Sequence, residues 1–216
     1  PGLVCRIPSG ETAMVCSQPV CNDGRDDDAD GLTDFPADLG CGAASSNIEG
    51  CGTEQDPILT ISGPTTTGTT TGAHDDFTAD ACGSEGGLDL QYTLTLPEMR
   101  TLTLDTSGSS FDTIVTLRAS TCGPQEIDCD DDGGTDATSA LDVEDVPAGR
   151  YLVVVDGFNG DDSGAFTLAV SGEIAVGGSC EGGLFASGAI VCEGASTCQG
   201  TLGSRTCQTE CSDGLD

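Results

Sequence analysis

Five apolar side chains at every second position, Leu88, Leu90, Tyr92, Leu94 and Leu96, alternate with Asp, Gln and Thr. Successive side chains of a strand point to opposite faces, so this run reads as a β-strand with one face on a core. Leu102 and Leu104 begin another strand. Ile114, Val115 and Leu117 follow, then Leu141, Val143 and Val146. Tyr151 to Val155 is a near-continuous apolar run, the pattern of a central strand buried on both faces. Phe166, Leu168 and Val170 close the set. Clusters of Gly, Pro, Asp and Ser separate these segments, and none of them shows a helical period. The expected fold class is all-β, an antiparallel, jelly-roll-like β-sandwich over residues 73–171.

The flanking segments are built differently. Residues 1–56 are poor in apolar pattern and rich in Cys, Gly and Asp, so they are expected to fold around disulfides and metal. In 57–72, Ile58 to Ile61 is a short strand candidate. The Thr run that follows reads either as an edge strand or as an exposed, O-glycosylated linker. Residues 172–216 return to Cys and Gly.

Within the first flank, Asp26, Asp28 and Asp30 alternate, Gly31 follows, and Asp34 comes four residues after Asp30. This is the ligand rhythm of a calcium loop: carboxylates at positions 1, 3 and 5, Gly at 6, a backbone carbonyl at 7 (Leu32) and an oxygen at 9. So many carboxylates in one turn repel unless a hard cation neutralises them. Asp23 is an additional candidate ligand. Position 12, usually a bidentate acid, is Ala37, and Asp38 would substitute through a local bulge. The competing reading is a solvated acidic turn. Magnesium, which demands stricter octahedral geometry, ranks behind calcium.

A second acidic group comprises Asp128, Asp130, Asp131 and Asp132, with Asp112 on an earlier connection. If the sandwich brings Asp112 to the turn carrying Asp130 and Asp132, a second Ca2+ would clamp two loops. The alternative is an Asp-Gly hairpin turn without metal. Asp156, Asp161 and Asp162 beside Gly157 and Gly160, and Asp75 with Asp76, read as turn chemistry. The chain of 216 residues carries 37 acidic against 6 basic residues, for a net charge of -31. Such a surface repels nucleic acid and anionic membrane, so neither is an expected partner, and no apolar run is long enough for membrane insertion.

Thirteen cysteines accompany a single His, His74, and no Cys-x2-Cys pair occurs, so disulfides rather than zinc are expected. Disulfides imply an oxidising, extracellular or cell-surface location. Cys180, Cys192, Cys198 and Cys207 are expected to form two local bridges, with three pairings open. Proximity alone suggests Cys5 with Cys16, Cys21 with Cys41, Cys51 with Cys82, and Cys122 with Cys129. Cys211 is left over. The stretch Cys211-Ser-Asp-Gly-Leu-Asp repeats Cys21-Asn-Asp-Gly-Arg-Asp. This repetition suggests about one period of a tandem array cut inside a second calcium loop, with Cys211 paired to a cysteine of the next repeat; the alternative is a coincidence of two Cys-rich linkers.

Four ordered motifs carry a family likeness: Phe111-Asp112-Thr-Ile-Val-Thr-Leu117, then Asp130-Asp-Asp-Gly-Gly134, Pro147-Ala-Gly-Arg-Tyr-Leu-Val-Val-Val-Asp-Gly157, and Gly164-Ala-Phe-Thr-Leu168. Over roughly 73–171 the chain resembles the bacterial pre-peptidase C-terminal domain, a jelly-roll-like sandwich appended to secreted peptidases and surface proteins. The Cys21 to Cys41 segment is similar to Asp-rich calcium repeats of the thrombospondin type 3 and myxobacterial kinds, apart from Ala37.

Catalysis finds little support in the sequence. There is no Gly-x-Ser-x-Gly elbow and no His-Glu-x-x-His, and aromatics to line a glycosidase cleft are few. The expectation is a non-enzymatic, calcium-binding structural or adhesive module of a repetitive extracellular assembly, such as a filament. Its partners would be copies of itself or adjacent repeats. The resemblance alone implies the alternative, an accessory domain binding an extracellular protein or polysaccharide for a secreted peptidase.

Overall fold

The computed structural model describes residues 4–6, 15–19, 22–25, 58–75, 77, 79, 81–119 and 126–209. Its strands in chain order are β1 (Val4–Arg6), β2 (Val15–Ser17), β3 (Leu59–Thr60), β4 (Thr65–Thr69), β5 (Leu90–Leu96), β6 (Met99–Asp105) and β7 (Thr113–Ala119). They continue as β8 (Glu126–Asp130), β9 (Ala140–Val146), β10 (Gly149–Gly157), β11 (Ala165–Ile174), β12 (Ile190–Cys192), β13 (Thr197–Gln199) and β14 (Thr206–Gln208). A four-residue helical turn, α1 (Gly183–Ala186), precedes β12.

Two five-stranded sheets make the sandwich expected from the alternation. The first runs β3-β5-β10-β7-β8 and the second β12-β11-β6-β9, with β4 paired to the first half of β11. The inner faces meet in a dry layer that includes Leu94, Leu102, Leu104, Val115, Leu117 and Leu168, all fully buried. Each such side chain contributes about 1.5–3 kcal/mol on leaving water. At the β4 edge, Tyr92 and Phe166 pack edge to face with ring centroids 6.1 Å apart. The Thr run is therefore an edge strand over Thr65–Thr69, paired antiparallel with β11. The segment Ile58 to Ile61 supplies β3, parallel to β5.

Strand β10 lies in the middle of its sheet, and both its faces are buried, as its apolar run predicts. Leu152 and Val154 point away from the sandwich interior yet are 2% and 1% exposed. The described residues between 73 and 88 form a strap that lies against this outer face. Within it, the Phe77 ring lies 5.0 Å from the Arg118 guanidinium. The Phe77 N–H donates to Asp89 Oδ2, and the Ser84 hydroxyl donates to Asp156 Oδ2. The strap is sewn to edge strand β8 by a disulfide between Cys82 and Cys129.

That bridge corrects two expectations. Cys129 does not pair with Cys122, and Cys82 does not pair with Cys51. Nearness in sequence favoured short links, but the strap crosses the sheet and reaches a cysteine 47 residues away. At the C-terminal end, the four cysteines form two local bridges as expected, Cys180–Cys198 and Cys192–Cys207. Cys198 and Cys207 are opposed across the β13–β14 hairpin, and each bonds away from the hairpin instead of to the other. The segment is part of the sandwich core: Ile174, Leu184 and Ile190 join the buried cluster, and β12 adds to the second sheet. The register of β1 with β2 sets Cys5 opposite Cys16. Cys21, Cys41, Cys51, Cys122 and Cys211 lie outside the described residues.

Candidate metal centre

The acidic turn after β8 is folded over one end of the sandwich. Asp130 is the last residue of β8, and its Oδ2 accepts from the N–H groups of Gly133 and Ala140, at 2.8 and 2.7 Å. This side chain closes its own turn and ties it to the start of β9. Once Asp130 is used in this way, the chain turns, and Asp131 and Asp132 swing together toward the residue preceding β7. Carboxylate oxygens of Asp112, Asp131 and Asp132 lie within 4.8 Å of one another. Calcium–oxygen bonds of about 2.3–2.6 Å place two ligands of one ion at such separations.

Asp112 is held in place from below. The hydroxyls of Thr106, Thr113 and Ser139 form a sealed network: Thr106 Oγ1 to Thr113 Oγ1 at 2.6 Å, and Thr113 Oγ1 to Ser139 Oγ at 3.1 Å. The Ser139 N–H donates to Thr106 Oγ1, and its hydroxyl donates to the Thr113 carbonyl. All three residues are completely buried. The network joins the end of β6 to the starts of β7 and β9, the strands that carry the two acidic loops. Replacing Thr113 by Val is expected to cost about 1–3 kcal/mol by orphaning its partners. Urea denaturation of this variant would read the loss.

A third loop enters from the side. Gly157 lies so close to the Asp162 carbonyl that a Cβ there would sit 2.0 Å from the oxygen, so only glycine permits this approach. The turn is closed by Asn159, whose carbonyl accepts from the Asp162 N–H and whose side-chain oxygen accepts from the Asp161 N–H. The Phe158 N–H donates to the Asp112 carbonyl, which draws Asp162 toward the triad.

Three oxygens at this end, Asp112 Oδ1, Asp131 Oδ1 and Asp162 Oδ2, are buried and have no hydrogen-bond partner among the described residues. Burial, with like charges close by, raises the proton affinity of Asp131 and Asp112. Asp131 is pushed up to about 6, first by desolvation and then by Asp132, Asp112 and Asp130. Asp112 is raised by desolvation and by the charges of Asp162 and Asp132. An all-oxygen donor set with orphaned acceptors fits a hard cation of the calcium or magnesium class.

The pH dependence follows from these shifts. Asp131 in the folded chain titrates near 6, above the ordinary carboxylate value of 3.8, and Asp156 near 7 for the burial reason given below. Between about pH 4 and 7 the folded state thus holds more protons than the unfolded state, so metal-free stability falls as pH rises through that window. Thermal melts in chelator are expected to give a lower midpoint at pH 8 than at pH 5. Calcium should narrow or reverse that difference.

Of the second acidic group, Asp112 and Asp132 are brought together. Asp131 takes the place given to Asp130, and Asp128 stands apart, accepting from the Cys129 N–H. Sequence reasoning did not bring Asp162 into the group. Its one signal was the Asp-Asp pair beside Gly160, which is also ordinary turn composition. Asp23, offered for the first loop, accepts from the Arg25 N–H. Asp26, Asp28, Asp30, Leu32, Asp34 and Asp38 lie outside the described residues.

No family model matches the chain, and no curated protein matches it. Among solved structures it is similar to the pre-peptidase C-terminal domain of collagenase from Bacillus anthracis, at 11% identity and a TM-score of 0.39. That match covers 56% of this chain and 100% of the other. It is also similar to PliG of Aeromonas hydrophila, a periplasmic inhibitor of g-type lysozyme, at 17% identity and a TM-score of 0.34, covering 54% of this chain and 99% of that one. Likeness at this level carries no functional information.

Proposed function

We propose that the chain is a calcium-binding structural or adhesive module of an extracellular assembly, without catalytic activity. The observation that carries this reading is the triad of Asp112, Asp131 and Asp132 with its orphaned buried oxygens. A cation there would join the loop before β7 to the loop after β8, and the Asp162 loop lies against them. Metal affinity would then become stability of the whole end of the sandwich. The three disulfides of the described residues support an oxidising exterior. The partners would be further copies of the chain or neighbouring repeats, and the strong negative charge makes calcium a natural bridge between like-charged modules.

Sedimentation velocity of the full chain tests this reading. Association that grows with millimolar calcium and reverses with chelator is expected. A monomer at every calcium concentration would overturn the assembly role.

One observation favours a second reading, an accessory binding domain. A groove of about 420 Å³ runs beside Asp112, lined by Gly108 to Phe111 and Thr135 to Thr138. Its size falls within the range of small-ligand sites. Calcium-dependent retention on an extracellular polysaccharide or protein matrix, by a chain that stays monomeric, would select this reading.

A further inference from the structure

A second set of carboxylates lies under the strap, on the outer face of the first sheet, and shares no residue with the triad. Asp89 and Asp156 are 0% and 1% exposed. Strands β5 and β10 pair Leu90 with Val155 and Gln91 with Val154, so the next step along the ladder sets Asp89 beside Asp156. Gln91, also 1% exposed, lies on the same face one diagonal away. Its Nε2 donates to Asp89 Oδ1 at 3.4 Å, and Asp89 Oδ2 accepts from the Phe77 N–H at 2.9 Å.

Two acceptors remain. Asp156 Oδ1 and Gln91 Oε1 are buried and find no hydrogen-bond partner among the described residues. Leaving such atoms unsatisfied costs about 1–3 kcal/mol each, and more for a charged group. Gly86 and Gly87 of the strap lie directly against this layer. A Cβ on Gly87 would come within 2.6 Å of Asp156 Oδ1, and one on Gly86 within 3.3 Å of Asp75 Oδ2. The carboxylates of Asp156 and Asp75 thus flank the glycine pair, one from the sheet and one from the strap.

We infer that these groups form a second site for a hard divalent cation of the calcium class, with Asp156 Oδ1 and Gln91 Oε1 as its buried ligands and Asp75 as its exposed one. The oxygens named are hard donors suited to such an ion. A divalent ion satisfies both orphaned acceptors and offsets more than one carboxylate. A proton on Asp156 neutralises one carboxylate only. Desolvation also lifts Asp156 to about 7; the Ser84 hydroxyl and the Gly157 N–H oppose the rise, and the charges of Asp89 and Asp75 add to it. The bound ion fastens the strap to the strands it covers, as the Cys82–Cys129 bridge does at the other side of the sheet.

The test compares calcium-induced stabilisation of the full chain across variants, with calcium as the only probe, at pH 8. In chelator, Asp156→Asn is expected to melt no lower than the parent, because a neutral amide replaces a buried acid. In calcium it is expected to lose part of the parent's increment, and one calcium-binding step should weaken by about tenfold or more. Asp131→Asn with Asp132→Asn should remove a different part, and the combined variant both parts. Gln91→Leu, which changes no charge, provides the same reading if Asp156→Asn fails to fold. A full calcium increment in both Asp156→Asn and Gln91→Leu overturns the proposal and leaves a proton as the occupant. If the triad variant keeps the full increment while Asp156→Asn loses its share, the triad reading fails and this site stands.

Discussion

Saturating calcium is expected to raise the melting midpoint of the chain by about 5–10 °C for each site it fills, over the same protein in chelator. A ligand at about a hundredfold over its dissociation constant contributes about 2.7 kcal/mol per site, and one kcal/mol shifts a chain of this size by about 2–4 °C. The gain arises because the metal-free fold holds Asp112, Asp131 and Asp132 together against their mutual repulsion. Replacing Asp131 and Asp132 by Asn should raise stability in chelator, since the repulsion is relieved, and should remove the share of the calcium gain that this centre supplies. Opposite signs in the two conditions separate a metal centre from a solvated acidic turn, which would respond weakly to both changes. Differential scanning calorimetry at matched ionic strength reads the result, because screening by salt alone also relieves like-charge repulsion.

The second large effect concerns the bridge between strap and sheet. Replacing Cys82 and Cys129 by Ala is expected to cost about 4 kcal/mol, the chain-entropy value for a loop closed across a sequence separation of 47. The strap buries the outer face of the central strand, so its loosening exposes Leu152 and Val154 as well as Asp89 and Asp156. Hydrogen exchange should then rise in β10 (Gly149–Gly157) before it rises in β6 (Met99–Asp105), which lies in the other sheet. Uniform exchange across both sheets would show that the strap is not a separable layer.

The strands were legible because half-buried strands impose a period of two. Leu90 to Leu96, Phe166 to Val170 and the apolar run at Tyr151 all fall where the alternation or its absence placed them. What covers the outer face was not legible. Residues 73–88 have no apolar period, and among the described residues they are joined to the sheet by a disulfide, a ring contact and a few hydrogen bonds. Gln91 reads as a solvent-facing residue in the alternation, yet it is buried because the strap lies over it. The same omission hid Asp156, whose Asp-Gly context is that of any turn.

The meeting of Asp112 with the acidic turn was legible as a possibility only, since it needed two loops far apart in sequence to share one end of the sandwich. The choice of Asp131 over Asp130 was not. Two residues at spacing two share a face only while the strand continues, and β8 ends at Asp130. Its side chain turns back to cap Gly133 and Ala140, which frees the following pair to face Asp112.

Crystals grown with terbium in place of calcium test the proposed metal centre most directly. An anomalous peak coordinated by Asp112, Asp131 and Asp132 together is the outcome expected here. A fully ordered acidic turn with no metal density, in crystals soaked well above millimolar terbium, would contradict it.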